Sequence, residues 1–125
     1  MDREYRDALG NDVEGRFGQS LTIETTVISD NQANFVTVDA GLKAMATDAG
    51  SPTVVGHEGK VNYQFFGDEQ GLVTREPNNL FHRGDRLRLV PPHCDPTVDK
   101  YDLIWLVRGD VVLGVADVAA RGCSQ

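Results

Sequence analysis

The chain is short of several things at once. It has two cysteines, Cys94 and Cys123, in 125 residues. Two thiols build no disulfide framework, and such sparse use points to a reducing compartment; a Cys94–Cys123 bridge is the less favoured alternative. It is short of positive charge, with 12 Lys and Arg against 19 Asp and Glu and a formal net charge of −7. That excludes a phosphate-tracking surface for nucleic acid or an anionic membrane, which needs clustered basic residues. The acidity is spread thinly along the chain and serves solubility more than recognition. No apolar run is long enough to span a bilayer. The opening Met1-Asp2-Arg3-Glu4-Tyr5-Arg6-Asp7 is charged and lacks the apolar stretch of a signal peptide, so the expected location is cytoplasmic. There is no repeat, no low-complexity tract, no Gly-rich phosphate loop ahead of a helix and no Ser–His–Asp arrangement.

What is present is β-structure. Hydrophobic residues make up 40% and charged residues 25%, an ordinary globular composition. The length suits one domain with a core of its own. Residues 20–29 are rich in β-branched residues, and Leu21, Ile23 and Thr25 alternate with Thr22, Glu24 and Thr26, which predicts a strand with one buried face. Asp30-Asn31-Gln32 is turn chemistry, so 34–39 returns as the second arm of a hairpin. Gly41 is expected to permit a backbone turn that a side chain would block. The stretch 48–59 reads as a loop. Further strands are predicted over 61–66, from 72, over 86–90, over 101–108 and over 111–119, with Gly109-Asp110 as a hairpin turn. About seven short strands and no convincing long helix predict an all-β barrel or sandwich. Trp105 and Phe65 or Phe66 are expected in its core.

The chemically richest stretch is Pro91-Pro92-His93-Cys94-Asp95-Pro96-Thr97. In an extended backbone His93 and Asp95 would share a side and Cys94 would face away. An imidazole and a carboxylate suit Mn²⁺, Mg²⁺, Zn²⁺ or Co²⁺. Two protein donors leave positions open for water or substrate, as catalytic metal sites do. From the residues alone, a helix cap or a surface ion pair fits the turn as well. Asp99 and Asp102 read as solvated or capping residues, with the metal shell as the alternative. His57 and His82 lie in loops and read as surface residues. Asp39 reads as a turn-stabilising carboxylate and Lys43 as a surface lysine.

Three segments taken together are more specific. Val38-Asp39-Ala40-Gly41-Leu42-Lys43-Ala44-Met45, Phe66-Gly67-Asp68-Glu69-Gln70-Gly71 and Gly84-Asp85-Arg86-Leu87-Arg88-Leu89-Val90-Pro91-Pro92-His93-Cys94-Asp95-Pro96-Thr97-Val98, in that order, resemble the C-terminal domain of D-threonine aldolases. That domain is shared with eukaryotic-type D-serine dehydratases, and the resemblance covers nearly the whole chain. It implies an architecture similar to alanine racemase: an N-terminal (β/α)8 barrel carrying pyridoxal phosphate on a lysine, and a C-terminal β-domain with a divalent metal site. The family's ligand pair falls on His93 and Asp95. In the dehydratases the matching pair is His-x-Cys with zinc, so Asp95 makes this chain look aldolase-like and favours Mn²⁺ or Mg²⁺.

The implied activity is cleavage of a D-3-hydroxy amino acid to glycine and an aldehyde by the complete enzyme, a homodimer. A D-serine dehydratase or 3-hydroxy-D-aspartate lyase type of domain is the first alternative. A stand-alone β-barrel binding module is the second. Two features depart from the family pattern: Gln70 stands where the family usually has histidine, and the barrel with its cofactor lysine is missing. None of Lys43, Lys60 and Lys100 has the barrel context. The expected organisation is therefore a lead-in segment over 1–19, continuing from a missing barrel, and a metal-binding β-domain over 20–125. The chain alone, whether truncation, split subunit or excised domain, is expected to be inactive.

Overall fold

The computed structural model describes residues 18–75 and 81–123. Most of the lead-in segment lies outside them. In chain order the elements are β1 (Ile23–Ser29), β2 (Phe35–Val38), β3 (Thr53–Val54), β4 (Tyr63–Phe65), β5 (Gly71–Thr74), β6 (Arg86–Val90), α1 (Asp95–Val98), β7 (Leu103–Arg108) and β8 (Val111–Asp117). Six strands form one barrel-like, nearly closed antiparallel sheet in the order β3-β6-β1-β2-β5-β4. β7 and β8 form a separate two-stranded ribbon. No helix among the described residues is long and apolar enough to cross a membrane.

Alternation builds the core. Ile23, Thr25 and Val27 of β1 point inward while Glu24 and Ile28 face solvent. Val36 and Val38 of β2, Val73 of β5 and Leu87 and Leu89 of β6 complete the same face. β1 serves two partners. Ile23 to Thr26 pair with β6, Val27 and Ser29 pair with β2, and a bulge lies between Val27 and Ser29. A bulge sharpens local twist, which lets one strand turn the corner of a curved sheet.

The corner is fastened by Asp39. Its carboxylate accepts the Thr25 hydroxyl at 2.6 Å and the Thr26 N–H at 2.8 Å. Burial pushes this carboxyl up, but the hydrogen bonds from Thr25 and Thr26 outweigh it and hold it below the usual 3.8. A depressed carboxylate stabilises the fold above its unfolded value and loses that contribution as pH falls through the folded one. The urea midpoint of the wild type should therefore drop as pH falls below the usual 3.8, and Asp39→Asn should flatten that part of the profile. Parallel profiles for the two proteins would refute this role.

Two expectations are corrected, for the 48–59 loop and for Trp105, and two are made specific, for Gly41 and for Phe65. β3 lies inside the stretch read as a loop; Thr53 and Val54 pair with Val90 and Leu89, a partnership that two residues cannot announce by periodicity. At Gly41 a side chain is indeed blocked, although its φ is not among the positive ones. It is required for close approach: a Cβ there would sit 2.4 Å from the Gln70 nitrogen and 2.6 Å from the Gly67 and Asp68 oxygens. Finally, Trp105 is 64% exposed and Phe66 57%. Only Phe65 packs on the core, edge-on to Tyr63. Trp105 lies on the ribbon, which is not hydrogen-bonded into the main sheet.

Candidate functional site

β6 carries the chain into the turn with Leu89 and Val90 buried, and Pro91 and Pro92 are buried after them. Two successive prolines fix φ and hold the turn's entrance rigid. The backbone then becomes helical rather than extended. Cys94 has φ −71° and ψ −54°, and Asp95–Val98 form α1 with Pro96 in its first turn. The i, i+2 alternation expected to put His93 and Asp95 on one side does not apply to this geometry. Pro is favoured there because its missing N–H would have no intrahelical partner anyway.

One hydroxyl organises the site. Thr97 is fully buried. Its Oγ1 accepts the Ala46 N–H at 3.0 Å and donates to the His93 carbonyl at 2.6 Å. The Tyr101 hydroxyl donates to the Ala44 carbonyl at 2.7 Å, and burial pushes that phenol's pKa up. Met45, between these tethers, is wholly buried. The segment 44–48 is thereby clamped to the turn. On the other side of this segment, Tyr63 donates to the Ala40 carbonyl, and burial pushes its phenol to about 12, so it stays a donor at neutral pH.

The clamp brings His93 against Asp48: Nδ1 lies 2.7 Å from the Asp48 Oδ2. Asp48 escaped sequence reading because it falls in a stretch read as a loop, 45 residues from its partner. Asp95 lies in the exposed first turn of α1. Cys94 is partly buried and Cys123 exposed, and neither is in a disulfide. Among the described residues no group of three or more His, Cys, Asp or Glu side chains is placed to hold a metal ion. His93 and Asp95, an imidazole and a carboxylate two residues apart in the chain, do not make a closed cage. As a donor set they fit a divalent cation only at an open site, completed by water or substrate.

The remaining candidates have other work. His57 is partly buried and packs edge-on against Phe81 at 5.0 Å. His82 is exposed beside Asp30 at 3.6 Å. Lys43 is exposed and ion-paired with Glu69, which raises its pKa. Asp102 pairs with Arg121, and the Asp99 carbonyl accepts from the same guanidinium. Lys60 and Lys100 are exposed too. These surface lysines do not fit the imine lysine of pyridoxal phosphate, so no step through that cofactor is assigned to this chain's lysines.

The sequence matches the family described as "putative serine dehydratase domain" over residues 20–107. The chain belongs to that family. Among curated relatives, it is 40% identical to a 3-hydroxy-D-aspartate aldolase of Paracoccus denitrificans, over 98% of this chain and 32% of that protein. It is 37% identical to a D-threonine aldolase of an Arthrobacter species, over 100% of this chain and 33% of that protein. The chain thus spans about a third of the length of these relatives. The crystal structure of D-threonine aldolase from Filomicrobium marinum superposes with a TM-score of 0.83 at 32% identity, over 98% of this chain and 34% of that one. An alanine racemase-like protein from Idiomarina loihiensis shares the fold, with a TM-score of 0.57 at 19% identity over 67% of this chain. The expected fold class and family resemblance are both borne out.

Proposed function

We propose that the chain is the metal-binding β-domain of a pyridoxal phosphate- and divalent metal-dependent aldolase that cleaves D-3-hydroxy amino acids to glycine and an aldehyde. The observation that carries this reading is the whole-chain similarity, at 37 and 40% identity, to two aldolases. By their names both act on a D-amino acid or its 3-hydroxy derivative. Threonine, too, carries its hydroxyl on C3. Cleaving the C2–C3 bond removes the proton of that hydroxyl and leaves an electron pair on C2. Pyridoxal phosphate, held by the other two-thirds of the enzyme, supplies the sink for that pair. A divalent cation supplies the Lewis acid that makes the 3-hydroxyl easier to deprotonate.

This chain's part is to hold and orient. His93 Nε2 and the Asp95 carboxylate would be the protein donors, and the nitrogen–oxygen set favours Mn²⁺ or Mg²⁺ over zinc's preferred sulfur and nitrogen. Pro91, Pro92 and the Thr97 hydrogen bonds fix the donors' backbone before the cation arrives, which lowers the entropy lost on binding. Purified chain should bind Mn²⁺ saturably, measured by the loss of the free-ion electron paramagnetic resonance signal. His93→Ala/Asp95→Ala should abolish that binding, and the chain alone should not cleave D-threonine. Unchanged binding in the double variant, or cleavage by the chain alone, would overturn the proposal.

The partner in this reading is the barrel domain that carries the cofactor, with the complete enzyme a homodimer. The ribbon supports such a partner. Trp105, Leu106 and Val107 on β7 and Val111, Val112 and Leu113 on β8 are all at least half exposed. Successive residues of a strand point to opposite faces, so both faces of the ribbon are apolar. A patch of this kind on a soluble domain marks a surface that something covers. Trp105 is the only tryptophan, so its fluorescence reports that event. It should emit as a solvated indole in the isolated chain and shift to the blue when the barrel domain is supplied. Val112→Lys should block the shift. A solvated spectrum in the assembled enzyme would remove the ribbon from the interface.

A further inference from the structure

The site contains a carboxylate that the donor pair does not use. We propose that Asp48 is a positioning residue: its carboxylate holds His93 in the Nδ1–H tautomer and presents Nε2 to the divalent cation. The inference rests on the metal reading above and names a residue that it does not need.

An ionised carboxylate can only accept a hydrogen bond, so the 2.7 Å contact between Asp48 Oδ2 and His93 Nδ1 requires the proton on Nδ1. In the neutral imidazole the lone pair then belongs to Nε2, the nitrogen on the far side of the ring. A histidine bound to metal through one nitrogen commonly donates its other N–H to a carboxylate, which fixes ring orientation and raises ligand basicity.

The two partners are far apart in sequence, yet both are tied to the same atom. The Thr97 hydroxyl binds the Ala46 N–H two residues before Asp48, and binds the carbonyl of His93 itself. The His93–Asp48 contact therefore spans two backbone segments whose separation is already set.

A tether between segment 44–48 and the turn is already supplied by Thr97 and by the Tyr101–Ala44 hydrogen bond. Asp48 is 58% exposed and the imidazole 33%, so an ion pair here is weakened by water and contributes little to stability. What a solvated carboxylate does supply is direction.

Two readouts on the purified chain test this. The first needs no metal: long-range ¹H–¹⁵N correlation spectra of His93 above its titration range. Wild type should show the proton on Nδ1. Asp48→Ala should shift the population toward the Nε2–H form that free histidine favours, and Asp48→Glu should restore Nδ1–H in part. The second is Mn²⁺ affinity by electron paramagnetic resonance. Asp48→Ala should weaken it by about tenfold to a hundredfold at an unchanged melting temperature, with Asp48→Glu between the two.

A wild-type His93 protonated on Nε2 would overturn the assignment, as would an Asp48→Ala chain with wild-type tautomer and affinity. Wild-type chain that binds no Mn²⁺ would overturn the metal site and the role of Asp48 together. Mn²⁺ binding that depends on His93 but not on Asp48 would overturn the role of Asp48 alone.

Discussion

Gly41→Ala is expected to destabilise the domain by about 3 kcal/mol or more, seen as a fall in the urea midpoint. Two effects of opposite sign meet at this position. Because Gly41 does not need a positive φ, alanine would cost the backbone nothing there, and its smaller unfolded-state entropy would add about 0.4–1 kcal/mol of stability. Against that, the new Cβ would lie 2.4–2.6 Å from three backbone atoms of the 67–70 turn. Those atoms are not a flexible side-chain tip. They belong to a turn that accepts hydrogen bonds from Leu42 at 3.1 Å and Lys43 at 3.0 Å. Relieving the clash means giving up those bonds, so the steric cost wins. Gly114→Ala is the matched control, since a Cβ at Gly114 meets nothing within 4 Å, and it should be close to neutral. Equal midpoints for the two variants would refute the close-approach account.

Thr97→Val should cost about 1–3 kcal/mol, mainly by stranding the buried Ala46 N–H, since the His93 carbonyl is only partly buried. Valine keeps the shape and opens no cavity, so the loss isolates the hydroxyl. Without it the Ala46 N–H has no acceptor and the His93 carbonyl no Thr97 donor. Thr97→Ser keeps both hydrogen bonds and should cost about 1 kcal/mol, mostly for the lost methyl. The same pair reports on the site. On the proposed metal reading, Mn²⁺ binding should weaken in Thr97→Val, although neither proposed donor is altered, and survive in Thr97→Ser. A valine variant as stable as wild type would show that water replaces the hydroxyl and that the clamp is not needed.

Legibility in the sequence followed the range of the interactions. β1 and β6 announce themselves because one face of each is buried, and period two then appears in the residue types themselves. The β7–β8 ribbon was legible as a hairpin from Gly109-Asp110, where Gly109 has φ +58°. Its exposure was not, because an apolar strand has the same residues whether its cover comes from its own domain or from another. β3 was invisible, since its identity lies in its pairing with β6 and not in Thr53-Val54. At the turn, residue types pointed to His93 and Asp95, but the extended geometry behind that pairing was wrong. Asp95-Pro96 was the available signal for a helix start. Asp48 had none: what singles it out is a contact across 45 residues.

The double duty of β1 has a kinetic side. Ile23 must find Leu89 before β6 can deliver the turn, and Ala46 must find Thr97 across 51 residues before His93 is set. Contacts of such separation form slowly, because chain entropy is lost before they contribute. The two halves of the site therefore meet late in refolding. If the proposed site binds Mn²⁺, the ion added to refolding chain should report the closing steps, well after the β1–β2 and β4–β5 hairpins have formed.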